Sequence, residues 1–227
     1  KNQLCRVGTS IGDITAGLYT VIGILLQLIN RNKTKLGSRL DLSMLDCQVA
    51  ILENAISRYS VEKKIPEPLG TDHPSITPFG AFETLNGSLV IAIGNDKMFY
   101  RFCKIIGDEK IAQNKLFVTN DLRNKNLSLL RKQIEIILTK KKKEFWIKKL
   151  QENQIPCSHI NTVKDLFNNK QIENRGMIKN YSDDIVKSLK VSGNPIKLSF
   201  LKNNKKSFKA PDLDENRNYI LKHFKLI

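Results

Sequence analysis

Between residues 11 and 29 the apolar positions Ile14, Leu18, Val21, Ile22, Leu25 and Ile29 recur at steps of three and four, which predicts a helix with one buried apolar face. The turn leading into it is rich in Gly, Ser and Thr and carries one acid, Asp13. Ser10 and Asp13 stand in the Ser-x-x-Asp relation of a capping box, so each side-chain oxygen can accept from a first-turn amide. Asn30 to Gly37 is a polar, basic break whose glycine suits a helix end. Ser38 to Ser43, with Leu40 and Leu42 on one side, predicts a strand in the sheet of a large domain. Met44 to Tyr59 predicts a second helix, with Leu45, Val49, Leu52, Ala55 and Ile56 sharing a core face. Residues 60 to 77 hold three of the seven prolines and one of the three histidines, the composition of a boundary.

Beyond that boundary the pattern changes period. Phe79 to Ile93 reads as two apolar strands around Asn86-Gly87, the signal of a type I′ hairpin opening a small domain. Asn95-Asp96 starts a helix reaching Gly107, with Met98, Phe99, Phe102, Ile105 and Ile106 as its buried side. Residues 119 to 139 predict another helix after Thr119-Asn120, and Lys143 to Gln154 a third around Phe145, Trp146, Ile147 and Leu150. A short helix is predicted over Thr162 to Asn168, a strand entry at Arg175 to Ile178, and a terminal helix running to Phe224. There is no internal repeat and no P-loop.

Composition sets outer bounds. At 227 residues and 41% hydrophobic, the chain can build one large core or two small ones. The net charge of +16 would suit an anionic partner, but the excess is mostly lysine dispersed among Asn and Ile, which predicts a solvated basic surface. Lys140 to Lys143 beside Trp146 lacks a base-stacking platform, so it reads as a solvated helix junction and no nucleic-acid partner is expected. Cys5, Cys47, Cys103 and Cys157 are far apart without a C-x-x-C pair, which predicts reduced thiols, a cytoplasmic setting and no metal. No signal peptide is expected, nor a membrane: the run from Ala16 to Ile29 is too short to span a bilayer and carries Tyr19, Thr20 and Gln27.

Two features are open to chemistry. Asp13 is either a capping acid of a core helix or a reactive carboxylate, since a helix N-terminus offers free amides and a dipole that stabilise moving charge. His73, in Thr71-Asp72-His73-Pro74-Ser75-Ile76, either binds a substrate carboxylate or caps a turn. Asp46 and Glu53 form a further pair of acids, seven residues apart, and read as cap and surface groups.

Several ordered segments, SIGDITAGLYTVIGIL, GSRLDLSMLD, LGTDHPSITPFGAFETLNGSLVIAIGND, INTVKDLFNNKQIENRGM and APDLDENRNYIL, resemble the family III CoA-transferases, the CaiB/BaiF or formyl-CoA transferase superfamily. Within it the chain looks most like the dicarboxylate branch that includes succinyl-CoA:glutarate CoA-transferase. The resemblance implies an α/β fold: part of a large Rossmann-like domain plus a smaller α+β domain, N-terminally truncated. The implied division is 1–65 for the catalytic-Asp part of the large domain, 66–157 for the small domain and 158–227 for the return to the large one. Family members carry a nucleotide-fold segment ahead of the Gly-Asp pair, which supplies most CoA contacts and is expected to be missing here. Three departures stand out: the loop at His73 lacks the Gly-rich form of some members, Ser158-His159 replaces a usual Gly-Pro, and Asp214 replaces a usual Gly.

The resemblance makes Asp13, after Gly12, the nucleophile. It implies transfer of CoA from an acyl-CoA to a small carboxylic acid through an aspartyl-CoA thioester, with no cofactor beyond the CoA substrates and with an interlocked homodimer as the assembly. Amides near Gly12 and Ile14 become oxyanion-donor candidates, and His73 and Ser75 substrate-loop candidates. Two other readings stay in play: an acyl-CoA racemase of the same superfamily, and a non-catalytic interaction half that needs a separate CoA-binding part.

Overall fold

A computed structural model describes residues 5–181, 186, 188–200 and 210–226. It forms two compact units, Lys1–Gly80 and Ala81–Ile227.

The first unit is built on α1 (Ile11–Thr34), α2 (Met44–Ala50) and α3 (Ala55–Glu62). The predicted helix is there and longer than the apolar run, because it continues through the polar stretch to Lys35, whose φ of 62° ends it with an N–H donated to Arg31 O. Gly37 is not the stop. At 24 residues α1 is long and apolar enough, by length and composition alone, to cross a membrane, which corrects the expectation that it is too short. Its predicted burial is also corrected: Leu18 is 60% exposed, Ile22 52% and Leu25 54%, while the buried residue is Thr15. The reason is geometric. α2 packs on the opposite, small-residue side of α1, where Gly12 lets Met44 and Gln48 approach, and Leu40 of the preceding segment lies on Gly23. A Cβ at Gly23 would stand 2.8 Å from a Leu40 methyl.

The capping box is not formed. Ser10 is the N-cap residue but its side chain makes no cap bond; instead the Thr15 hydroxyl donates to Ile11 O at 2.7 Å. Ser38–Ser43 is irregular rather than a strand, since no strand of this unit offers it a ladder among the described residues. Leu40 turns onto Gly23, and Ser38 donates to Gln27 Oε1. The helix expected over 44–59 is interrupted at residues 51–54, where Glu53 takes a φ of 51°. Ser43 caps α2 by accepting from the Leu45 and Asp46 amides, which turns Cys47 inward and leaves Leu45, Val49, Leu52 and Ile56 exposed.

The second unit carries most of the core. β1 (Phe79–Thr84) and β2 (Gly87–Ala92) form the predicted hairpin at the boundary between the units. Its turn residues are Leu85 and Asn86, and only Gly87 has positive φ, at 118°, so it is not the type I′ turn at Asn86-Gly87. α4 (Asp96–Ile106) is capped by the Asn95 side chain accepting from Met98 N and ends on Gly107 at φ 91°. Phe99, Phe102 and Ile106 are buried, as its spacing predicts. α5 (Glu109–Gln113) follows; then the helix expected over 119–139 divides at Asn126 into α6 (Asn120–Lys125) and α7 (Leu127–Leu138). α8 (Lys143–Glu152) buries Trp146, Ile147 and Leu150. The indole N–H donates to Leu138 O at 2.7 Å, tying α8 to the end of α7.

β3 (Cys157–His159) then adds to the sheet antiparallel to β2, with Leu89 opposite His159 and Ile91 opposite Cys157. Thus the Ser158-His159 departure lies in a paired strand. α9 (Val163–Leu166) has a complete capping box between Thr162 and Asp165, and α10 (Lys170–Asn174) follows. β4 (Ile178–Asn180) and β5 (Lys190–Ser192) pair antiparallel, and α11 (Arg217–His223) is the terminal helix. Asp214 has a φ of 67°, a conformation that explains why glycine suits that place and that Asp tolerates better than most residues.

Candidate active site

Asp13 is the third residue of α1, and its side chain is exposed. Helix geometry leaves the amides of Gly12 and Asp13 without an i−4 acceptor, so they face outward with the dipole's positive end. The Ile14 amide is different: it donates to Ser10 O at 3.0 Å and is used within the helix. Of the two proposed oxyanion donors, Gly12 is therefore the one with a free first-turn position. One turn on, Gly17 stands beside Asp13 with open space where a Cβ would be. That leaves room for a ligand above the carboxylate.

Gly12 has a neighbour that sequence reasoning missed. A Cβ there would meet Gln48 Nε2 at 3.3 Å and Met44 Cε at 3.7 Å, both from α2. Their i, i+4 spacing, with a polar Gln on an otherwise apolar face, was the available signal. The Gln48 amide makes a long bond, 3.5 Å, to Met44 O, so a carboxamide donor lies over Gly12, the residue before Asp13.

His73 occupies a local turn. Its Nδ1 accepts from the amides of Ser75 and Ile76, each at 3.1 Å, with Ser75 Oγ at 3.4 Å. The ring stacks on Phe79 at 5.1 Å, and the His73 amide donates to Phe79 O. Two amide donors on Nδ1 fix the neutral ring as the Nε2–H tautomer. His73 thus caps a turn through Nδ1, and its Nε2–H remains as a donor, so both readings of His73 stay compatible with its placement.

A cavity of about 350 Å³ opens between α1 and α2, lined by Tyr19, Ile22, Gly23 and Leu26 on one side and by Leu42, Cys47 and Ala50 on the other. Asp46 sits on its rim with Asp41, whereas Glu53 lies in the turn after α2, so the two acids do not act as a pair. In the second unit, Lys149 Nζ lies 5.7 Å from the Trp146 ring and Lys141 Nζ 5.9 Å from Phe145, contacts of an exposed helix junction. No group of three or more His, Cys, Asp or Glu suited to a metal occurs among the described residues.

An exposed carboxylate among glycines at a helix start fits acyl chemistry, and the sequence matches CoA-transferase family III over residues 1–217. The chain belongs to that family. A succinate–glutarate CoA-transferase of Agrobacterium fabrum is 31% identical over 175 residues, covering 77% of this chain and 44% of the relative. The human succinyl-CoA:glutarate CoA-transferase is 30% identical over 221 residues, covering 96% and 49%. The crystal structure of a CAIB/BAIF family protein from Brucella suis superposes with a TM-score of 0.77 at 29% identity, covering 96% of this chain and 56% of that one. This chain thus spans about half the length of the curated relatives it matches. The match runs through α1, which argues for a family core helix with an uncovered face rather than a membrane span.

Proposed function

We propose that the protein transfers CoA from an acyl-CoA to a small carboxylic acid, with Asp13 as nucleophile. The observation that carries this is the family match running through a half-buried Gly12 and an exposed Asp13 at the start of α1. The Asp13 carboxylate attacks the thioester carbonyl; the C–S bond breaks, giving a mixed anhydride and CoA thiolate. The thiolate attacks the Asp13 carbonyl and expels the donor acid as its carboxylate, leaving CoA on Asp13 as a thioester. An acceptor carboxylate then runs both steps in reverse, so no proton is gained or lost overall. The Gly12 amide is the oxyanion donor, and the Nε2–H of His73 is a donor for the acceptor carboxylate. Relatives named for succinate, glutarate and oxalate support small dicarboxylates as acceptors. Free cysteines fit a cytoplasmic site of action, and a homodimer is the assembly the family resemblance implies.

The test exploits the sequence. Cleavage after Arg6 and Arg31 releases residues 7–31, in which Asp13 is the only side-chain carboxyl. Protein quenched during turnover of succinyl-CoA is digested and that peptide weighed for a CoA thioester that hydroxylamine removes. Deuterium entering the α-carbon of an acyl-CoA with no adduct would identify a racemase instead, and neither signal would identify a non-catalytic half.

A further inference from the structure

Two side chains one turn apart on α2 close over Gly12. Where a Cβ of residue 12 would stand, Met44 Cε is 3.7 Å away, Gln48 Nε2 3.3 Å and Gln48 Cδ 3.4 Å. A Cβ lies about 2.5 Å from its own amide nitrogen, so Gln48 Nε2 stands within about 6 Å of the Gly12 nitrogen. One oxygen accepting from each at about 2.9 Å bridges such a separation. Both groups have a donor to give. The Gly12 amide has no i−4 acceptor at the start of α1. The Gln48 carboxamide carries two N–H groups, and its 3.5 Å approach to Met44 O is longer than a well-formed N–H···O bond. Gln48 is exposed and Gly12 half-buried, so a ligand can reach both.

We propose that Gln48 is a second catalytic residue: its Nε2–H joins the Gly12 amide in holding the oxygen of the thioester carbonyl while Asp13 attacks, an assignment that rests on the transferase reading of Asp13. As the Asp13 carboxylate bonds to the carbonyl carbon, the C=O π pair moves onto the oxygen. It returns when the C–S bond breaks and the CoA thiolate leaves. Two fixed N–H dipoles stabilise the charge over that interval, and no proton is exchanged. The neutrality of the carboxamide matters so close to a carboxylate nucleophile. A lysine or arginine in its place would also attract the Asp13 charge and stabilise it before reaction, whereas an amide donor acts mainly on the charge that forms later. In a chain with 38 lysines and arginines, an uncharged donor stands at this place. The glycine follows from the same arrangement, because a side chain at residue 12 would displace the carboxamide from the amide it works with.

The experiment follows the CoA thioester on residues 7–31 after succinyl-CoA is mixed with the 227-residue chain, together with steady-state transfer to glutarate. Gln48→Met keeps the side-chain length and removes the donor. It is expected to lower kcat and the rate of thioester formation on the order of 10²-fold, with KM within about threefold of the parent. Gln48→Glu loses at least as much. Gly12→Ala displaces the carboxamide and loses rate to a similar degree, and adding Gln48→Met to it costs no more than about twofold further. Met44→Leu alters only the apolar contact and stays within about threefold of the parent. Thermal unfolding by circular dichroism shows that each variant folds as the parent does. Parent-level kcat in Gln48→Met overturns the assignment and leaves Asp13 as nucleophile. So does a loss confined to KM, a loss that Met44→Leu shares, or losses in Gly12→Ala and Gln48→Met that multiply in the double variant. A parent chain that forms no thioester sinks the transferase reading and this assignment with it.

Discussion

The side-chain amide of Gln48 lies over Gly12, so that a Cβ added to that glycine would stand 3.3 Å from Nε2. The neighbour is the end of a flexible side chain with one long bond, and it can withdraw. Three glycines of α1 therefore respond differently to alanine. Gly17→Ala, in open space, is expected to raise stability by about 0.4–1 kcal/mol. Gly12→Ala gains the same helix propensity but displaces Gln48 and comes out near neutral. Gly23→Ala drives into both Leu40 methyls, at 2.8 and 2.9 Å, and lowers stability by about 1 kcal/mol. Urea unfolding followed by circular dichroism gives the order, and an equal gain at all three positions would show that Leu40 and Gln48 do not lie on α1 where the structure has them.

Elements were legible in advance where the structure buries their apolar face within their own unit. Asn95 and Thr119 cap the helices they were expected to start, and Phe99, Phe102 and Ile106 are buried in one core cluster with Ile147 and Leu150 of α8. In the first unit the same periodicity misled. Leu18, Leu45 and Val49 have the spacing of core residues, but a pattern states a need for burial and not its fulfilment. Ser38–Ser43 likewise has a strand's alternation and, among the described residues, no strand to pair with. Asp13 was legible because a helix start follows from sequence. The loss of the Ile14 amide to Ser10 O and the approach of Gln48 were not, since both depend on where the first turn and α2 lie.

Cys103, fully buried beside α8, has its thiol pushed up from the ordinary 9.0 to about 12. Burial is the main cause, the Asp108 carboxylate adds to it, and Arg123 opposes. A raised folded value means the native state holds the proton that the unfolded chain releases. Its contribution to stability is complete below pH 9 and is lost as pH climbs from there toward 12. Stability of the second unit, followed by Trp146 fluorescence, should fall over that window, with a shallower slope in Cys103→Ala. At pH 8 a thiol reagent should modify exposed Cys5 quickly and Cys103 only on unfolding.

Arg123 is completely buried, yet its partner Asp96, 2.7 Å away, is half exposed. The guanidinium also donates to Phe117 O at 3.0 Å and lies 4.4 Å over the Phe99 ring. Removing one or the other partner is therefore asymmetric. Asp96→Ala removes one charge-assisted hydrogen bond of a buried guanidinium and is expected to cost about 1.5–3 kcal/mol. Arg123→Met keeps much of the packed volume and leaves a carboxylate that water can reach, so it should cost less. If the two variants unfold at the same urea concentration, the pair is a surface ion pair in solution and the buried guanidinium is misplaced.

Asp13 can serve the helix, the chemistry, or both, and the two services have different sizes. A first-turn acid interacting with the helix dipole stabilises by about 0.3–1 kcal/mol, and an amide at that position forfeits little more. A nucleophile, when removed, costs on the order of 10³-fold or more in turnover. Asp13→Asn in the complete assembly should accordingly keep its unfolding midpoint close to the parent's, since the side chain is exposed, while CoA transfer and the thioester on residues 7–31 both disappear. Asp13→Glu retains a carboxylate on a longer arm; it should unfold like the parent and still lose most of its rate, because the attacking oxygen is displaced relative to a thioester carbonyl held by the Gly12 amide. Parent-level transfer in Asp13→Asn would reduce Asp13 to a helix-start charge and move the search for the nucleophile elsewhere in the family architecture.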